Sequence, residues 1–316
     1  MSPPVSPPVI LIAGATACGK SALALRLAER LGGVIVNADS MQLYRELRVL
    51  TARPTPEDEA RVPHRLYGIL SVAEPGSVGR WLALARAEIE AAAAAARPAI
   101  VVGGSGLYFH ALTEGLAAVP EIPSAVRAEA RALMQRLGPA RFHEALAEID
   151  PEMAARLRPS DPQRLLRAFE VMRATGRSLA RWQAGEAMEP PLAWPWRGYV
   201  LELPRAELYR RIDRRFEAML AAGALEEVRA LMGLGLDPAL PGLRALGIPH
   251  LMRHLADEIG LEEATGAAQQ ATRRYAKRQL TWQRNKMRSW TWISTQDSTC
   301  FYSRIIAQMA DFGLTL

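Results

Sequence analysis

The stretch Val9-Ile10-Leu11-Ile12-Ala13-Gly14-Ala15-Thr16-Ala17-Cys18-Gly19-Lys20-Ser21 decides the reading of the fold. Its first five residues form an apolar, β-branched-rich run closed by glycine, the pattern of a buried strand. Gly14–Ser21 then fits G-x-x-x-x-G-K-[ST], and residues 20–31 carry apolar side chains at helical spacing up to the Gly32-Gly33 stop. Strand, glycine-rich turn and helix in that order are the context the motif requires. The turn lets backbone N–H groups point at phosphate oxygens, and the positive end of the following helix adds to them. Lys20 contributes a mobile cation. The Ser21 hydroxyl is a ligand for Mg²⁺, which takes oxygen donors and keeps substrate phosphates in its shell. The whole loop (Gly14, Ala15, Thr16, Ala17, Cys18, Gly19, Lys20, Ser21) is therefore the candidate site for a di- or triphosphate. Cys18 reads as a small residue facing the loop interior rather than as a nucleophile.

Moving outward, Val34-Ile35-Val36 is a second buried strand, Trp81 to Ala96 an alanine-rich helix, and Ala99-Ile100-Val101-Val102 a third strand ending in Gly103-Gly104. Apolar strands alternating with helices argue for a parallel sheet covered on both faces. In such a sheet ligands bind at the carboxyl ends of the strands. Asn37-Ala38-Asp39-Ser40-Met41-Gln42, after the second strand, and Gly103-Gly104-Ser105-Gly106, after the third, should therefore lie beside the phosphate loop. From position alone Asp39 could be a catalytic carboxylate, a helix N-cap or a group behind a magnesium ion. Ser105 offers a hydroxyl, or simply closes a turn. From about Val119 to Pro195 the patterns are helical, broken by prolines, with no convincing strand. Tyr199 to Leu203 returns as a strand, and helical patterns run on to about Trp290. The expected organisation is a disordered tail over 1–8, a catalytic core over 9–118 and 196–290, a helical insertion over 119–195, and an unassigned tail over 291–316.

The chain of 316 residues carries 39 Lys and Arg against 33 Asp and Glu, a net charge of +6, which permits an anionic partner. Its two cysteines, Cys18 and Cys300, exclude a disulfide scaffold and a four-cysteine zinc module. No apolar run approaches the roughly 20 residues of a membrane span, and the proline-rich start lacks the pattern of a signal peptide, so a cytoplasmic protein is expected. The basic excess is local. Residues 156–181 hold seven arginines against two acids, and residues 273–288 hold seven Lys and Arg and no acid. Either run could be a solvated helix face or a track for nucleic-acid phosphates.

The phosphate loop, Asp39-Ser40-Met41-Gln42, Thr51-Ala52-Arg53-Pro54, Pro63-His64-Arg65-Leu66, Val102-Gly103-Gly104-Ser105-Gly106-Leu107-Tyr108, Asp161-Pro162-Gln163-Arg164-Leu165 and Lys277-Arg278-Gln279-Leu280-Thr281-Trp282 occur in this order. Together they closely resemble the bacterial tRNA dimethylallyltransferase (tRNA isopentenyltransferase) family, from about residue 9 to residue 290. The resemblance implies an α/β fold: a P-loop NTPase-like core with a parallel sheet covered by helices, plus an all-helical insertion domain. It implies transfer of a dimethylallyl group from dimethylallyl diphosphate to the exocyclic N6 of the adenosine 3′-adjacent to the anticodon, in tRNAs reading codons that begin with U. The phosphate loop would then hold a diphosphate leaving group, with Mg²⁺ as cofactor. Asp39, Ser105 and Lys20 would be catalytic, and Arg211 and Arg215 would clamp diphosphate. Asp39, Ser40, Met41, Gln42, Ser105, Arg127, Gln163, Arg164, Leu165, Leu166 and Arg167 would contact tRNA at its anticodon stem-loop. A monomer free of the membrane is expected. The sequence departs from the family in having Cys18-Gly19-Lys20-Ser21 for Ser-Gly-Lys-Thr, serine for threonine at Ser105, and Leu246-Gly247-Ile248-Pro249-His250 at a late family segment.

Overall fold

The computed structural model describes residues 8–117, 119–185, 187–294, 302, 305 and 306. Apart from Pro8, the expected N-terminal tail lies outside the described residues. The chain divides into two compact units, one of residues 1–112 with 192–316 and one of residues 113–191.

The elements follow in chain order. β1 (Val9–Gly14), α1 (Lys20–Leu31), β2 (Val34–Asn37), α2 (Pro56–Arg61), β3 (His64–Arg65), α3 (Val78–Ala94), β4 (Ala99–Gly103) and α4 (Gly106–Glu114) come first. The second unit holds β5 (Leu116–Ala117), α5 (Ser124–Ile149), α6 (Pro151–Arg156), α7 (Pro162–Thr175), α8 (Leu179–Ala184) and β6 (Ala187–Glu189). The chain then returns through β7 (Trp196–Glu202), α9 (Arg205–Ala221), α10 (Ala224–Gly233), α11 (Ile248–Leu255), α12 (Leu261–Lys286) and β8 (Thr291–Ser294).

The first unit is built on one six-stranded sheet in the order β3-β2-β4-β1-β7-β8, parallel at every pairing. Every residue of β1, β2 and β4 is buried, as a sheet covered on both faces demands. Ile10 and Ile12 join Ala24, Leu27, Ile35, Ile100, Val102 and Tyr199 in one core cluster. Each Ile, Leu or Val among them contributes about 1.5–3 kcal/mol when fully buried. The α1 helix begins and ends on glycines in the left-handed region, Gly19 at φ 97° and Gly32 at φ 63°, where an L side chain would be strained. β1 lies between β4 and β7, and β4 lies between β2 and β1. The turns leaving β1, β2 and β4 therefore open side by side at one end of the sheet.

The sheet also gains β8, which pairs Tyr199–Glu202 with Thr291–Ser294 and buries Ile293. This assigns the start of the C-terminal segment that carries no legible pattern; four residues are too few for alternation to register. Ile305 and Ile306 are buried in the same core.

The second unit has its own core, with Phe142 and Phe169 at 5.0 Å between ring centroids among Leu146, Leu165 and Val171. Its longest helix, α5, is interrupted at Gly138 (φ 72°), just before Pro139, whose ring cannot continue a helix. The expectation of no strand from about 119 to 195 is corrected by β6, which pairs antiparallel, in an irregular register, with β5 just before that span. Strands of two and three residues leave no periodic trace in sequence.

Candidate functional site

Three turns of the first unit carry the site. In the phosphate loop, Ala17 (φ 65°) and Gly19 (φ 97°) take left-handed backbone conformations, and Cys18 N–H donates to the Ala15 carbonyl at 3.2 Å. Cys18 is buried, and its Sγ fills the space that a side chain at Gly14 would need. It is thus the loop-interior residue the sequence suggests. The Lys20 ammonium reaches only the Ala15 carbonyl, at 3.4 Å, and has no ion-pair partner among the described residues. Ser21 is exposed in the first turn of α1.

The second turn is organised by Asn37, a fully buried amide. Its Nδ2 donates to the carbonyls of Asp39 (2.9 Å) and Leu66 (3.0 Å), and its Oδ1 accepts the Asp39 N–H at 2.8 Å. The Asn37 carbonyl in turn accepts the Trp81 indole N–H at 2.7 Å, and Trp81 stacks on Tyr108 at 4.2 Å. Asp39 Oδ1 accepts the Met41 N–H at 3.0 Å, which leaves Oδ2 without a hydrogen bond among the described residues. Burial, and then the Asp39 charge, push the phenols of Tyr67, Tyr108 and Tyr275 well above the ordinary tyrosine range. Asp39 thus sits half-exposed at a place that three protonated hydroxyl groups sense.

The third turn is locked to the second. Ser105 N–H donates to the Ala38 carbonyl at 3.1 Å, and Ser105 Oγ accepts the Ser40 N–H at 3.0 Å. Ser105 therefore holds the Asp39 segment with the same hydroxyl that the family resemblance implies is catalytic. A Cβ at Gly104 would strike the Gln279 amide, and one at Gly106 would strike the Trp282 ring.

Two helices close the site. Arg215, on α9, donates weakly to Thr16 Oγ1 (3.5 Å) and to the Thr51 carbonyl (3.4 Å). Burial lowers its pKa, and the nearby Asp39 and Cys18 oppose that effect. It has no ion-pair partner among the described residues, so it is a half-buried cation with unspent capacity for an anion. Arg211 also lies beside the loop, 3.8 Å from where a Gly19 Cβ would be, but it is paired with Glu207 at 2.9 Å. Of the two candidate clamps, Arg215 is the one not already committed to a carboxylate.

Gln279, on α12, is a site residue that its neighbours hid. Its Oε1 accepts the Thr16 N–H at 2.9 Å and its Nε2 donates to the Gly104 carbonyl at 2.9 Å, tying the first turn to the third. The legible signal was an amide at an inward position: α12 buries Ala264, Ala268, Ala276, Gln279 and Gln283 along one face. The surrounding basic run is mostly exposed, with Arg273 paired to Asp213 and Arg284 to Glu202. Gln42 has its Nε2 on the carbonyls of Thr51 (2.8 Å) and Ala52 (3.0 Å). Gly247, in the segment that departs from the family, is pressed between Phe216 and Leu50, where a Cβ would crowd both.

In the second unit Gln163 and Arg164 are exposed at the start of α7, and Arg164 pairs with Asp161 at 3.3 Å. Arg167 is half-buried, and burial lowers its pKa; Glu170 supports its charge and Arg127 opposes it. Leu165 is fully buried in the core of this unit, so its side chain has no surface to offer a nucleic acid. Leu166 is half-buried and packs on the same core.

The family model described as IPP transferase matches residues 42–286. A tRNA dimethylallyltransferase of Parvibaculum lavamentivorans is 56% identical over 315 residues, covering 100% of this chain and 99% of the relative. One of Rhodospirillum centenum is 58% identical and covers 90% of each chain. Among solved structures, a full-length tRNA isopentenylpyrophosphate transferase of Bacillus halodurans is 30% identical with a TM-score of 0.69, covering 97% of this chain and 98% of the other. A eukaryotic dimethylallyltransferase acting on tRNA, 24% identical, shares the fold with a TM-score of 0.81, covering 97% of this chain and 79% of the other.

Proposed function

The chain belongs to the IPP transferase family, and from that premise we propose that it transfers a dimethylallyl group from dimethylallyl diphosphate to the exocyclic N6 of an adenosine in tRNA. The acceptor is the adenosine 3′-adjacent to the anticodon, in tRNAs reading codons that begin with U. One observation carries the reading: among the described residues, two cations without ion-pair partners, Lys20 and Arg215, border a phosphate loop next to a half-exposed carboxylate whose Oδ2 accepts no hydrogen bond, that of Asp39. A kinase site needs the first half of that arrangement. A proton-accepting carboxylate beside a leaving diphosphate suits an amine nucleophile.

In the step we assign, the N6 lone pair forms a bond to the allylic carbon. The C–O bond breaks with its electron pair going to diphosphate, and N6 gives a proton to Asp39. The adenine amine is a weak nucleophile because its lone pair is delocalised into the ring, so removal of that proton matters. Lys20, Arg215 and the loop amides meet the charge that grows on diphosphate. Ser105 acts by holding the Asp39–Met41 turn in place. An adenosine in a stacked loop must leave its stack to enter such a site.

Mg²⁺ fits the same place. The described residues contain no group of three or more His, Cys, Asp or Glu side chains able to hold a metal, and Ser21 offers one exposed hydroxyl beside the loop. Such a donor set suits an ion held mainly by substrate oxygens and water. When bound, the ion supplies further positive charge to the leaving group.

For the RNA, we assign Arg127, Gln163, Arg164 and Arg167 of the second unit to the anticodon stem-loop. Arg164→Ala with Arg167→Ala should weaken tRNA binding and reduce the slope of log K against log salt by about 1–2. A binding titration over a salt series checks this, and an unchanged slope removes these arginines from the interface. No helix among the described residues is long and apolar enough to cross a membrane. We expect a cytoplasmic monomer as the working form.

The deciding experiment offers labelled dimethylallyl diphosphate with Mg²⁺ to unmodified tRNA bearing the adenosine, to the same tRNA with that adenosine replaced, and to free AMP. Label only in the first supports the reading. Label in AMP, or none in any acceptor, overturns it.

A further inference from the structure

The loop after residue 47 has no regular structure to hold it, yet it presents the carbonyl on which Arg215 and Gln42 converge. Thr51 O accepts Gln42 Nε2 at 2.8 Å and Arg215 NH2 at 3.4 Å. What fixes the loop comes from α10. The Glu227 carboxylate accepts three consecutive backbone N–H groups: Arg48 and Val49 on Oε2, each at 2.7 Å, and Leu50 on Oε1 at 3.0 Å. Bonds of this length from amides to an ionised carboxylate are roughly twice as strong as neutral ones. The next residues are held as well: Thr51 Oγ1 donates to the Leu47 carbonyl at 2.6 Å, and Ala52 turns the chain at φ 47°. Buried Leu50 rests where a Cβ at Gly247 would crowd it. The Glu227 charge also supports the Arg53 guanidinium, which burial disfavours.

We infer that Glu227 is a positioning residue for the diphosphate: it fixes the loop 48–52, and through the Thr51 carbonyl, which Gln42 also binds, it aims Arg215 at the phosphate loop. The inference rests on the function proposed above. Glu227 touches neither substrate nor the reacting atoms; its effect passes through the backbone of three residues. It explains why a loop without a helix or strand can hold a catalytic cation. A side-chain cation aimed by a mobile carbonyl would sample positions an ångström or more apart, and such misplacement can cost about a hundredfold in rate.

The test is a double-mutant cycle in the full-length chain. Glu227→Ala alone should lower kcat/KM for dimethylallyl diphosphate by about 30-fold, with tRNA affinity unchanged. It should also weaken binding of inorganic pyrophosphate, measured by calorimetry, about 10-fold. Glu227→Gln keeps one acceptor oxygen for the Arg48 and Val49 amides but turns an amide N–H₂ toward Leu50, so its losses should be intermediate. It serves also if the alanine variant folds poorly. In an Arg215→Ala background, the same Glu227 substitutions should change pyrophosphate affinity less than about 2-fold, because the group they aim is gone. Equal losses in both backgrounds, or a matching loss of tRNA affinity, would overturn the inference and leave Glu227 a general fold support. If wild-type chain binds pyrophosphate and shows the coupling but prenylates nothing, the positioning role stands and the proposed function falls.

Discussion

Asp39→Asn is expected to abolish prenyl transfer while leaving tRNA binding intact. The substitution is nearly isosteric, and the retained Oδ1 can still accept the Met41 N–H that holds the turn. The Asn37 amide, which binds the backbone of Asp39 on both sides, does not involve the side chain at all. What is lost is the proton acceptor. General-base assistance contributes about 10²–10⁴-fold, so kcat should fall by at least about 100-fold, equivalent to about 2.7 kcal/mol of transition-state stabilisation. The acceptor affinity should stay within about 3-fold, since an unreacted amine gains little from a carboxylate over an amide carbonyl. Single-turnover transfer and an equilibrium tRNA titration on the same preparation separate the two quantities. Near-normal turnover would remove Asp39 from proton transfer and leave it a turn-forming residue. A parallel collapse of binding would make it a recognition residue instead.

The Asp39 case indicates what was legible in sequence and what was not. The phosphate loop announces itself because its chemistry is local: the glycines, the lysine and the serine that make the cradle are consecutive, and the flanking strand and helix have clear periods. Asp39 and Ser105 were placed by a topological rule, that strands of a parallel sheet end at a common edge, which needs only that the strands be recognised. Gln279 and Glu227 act across 263 and 177–179 positions of sequence respectively. No local pattern can report a bond of that span. Sequence does not separate Arg215 from Arg211, because the difference is that Glu207 neutralises one and not the other. Leu165 shows the converse. It stands among RNA-contacting residue types in a helical segment, and only the helix's rotation puts it inward among Phe142 and Phe169. The β5–β6 pair and β8 were too short to carry a period. Interior pattern is written every few residues, whereas a site assembled from separate turns is written in their meeting.

Gly103→Ala should be the most damaging single methyl group in the first unit. A Cβ at this position would overlap the carbonyl group of Ala38, where two backbones meet with no side chain between them. The contact is not adjustable at a side-chain tip. Ala38 N–H donates to the Val102 carbonyl at 2.8 Å, and the Ala38 carbonyl accepts the Ser105 N–H at 3.1 Å, so separating the strands enough to admit a methyl group strains both bonds. Two backbone hydrogen bonds at about 1 kcal/mol each, with an overpacking cost of about 1–3 kcal/mol, give a loss of about 3–5 kcal/mol. For a chain of this size that lowers Tm by about 5–8 °C. The effect on activity should exceed the effect on folding. Ala38 immediately precedes Asp39, and Ser105 holds Ser40, so the same displacement moves the carboxylate away from the phosphate loop by a distance comparable to the methyl radius. Transfer by the folded fraction should fall about 100-fold, as for other ångström-scale displacements of reacting groups. Gly266→Ala is the matched control. Gly266 lies within α12 with nothing within 4 Å of its Cβ position, so the same added methyl should stabilise by about 0.5–1 kcal/mol and leave transfer unchanged. Thermal denaturation and single-turnover transfer on both variants test the pair. A Gly103→Ala chain that melts and reacts like the wild type would mean that β2 and β4 do not approach through this glycine, and with it would go the argument that the Asp39 and Ser105 turns are held as one piece.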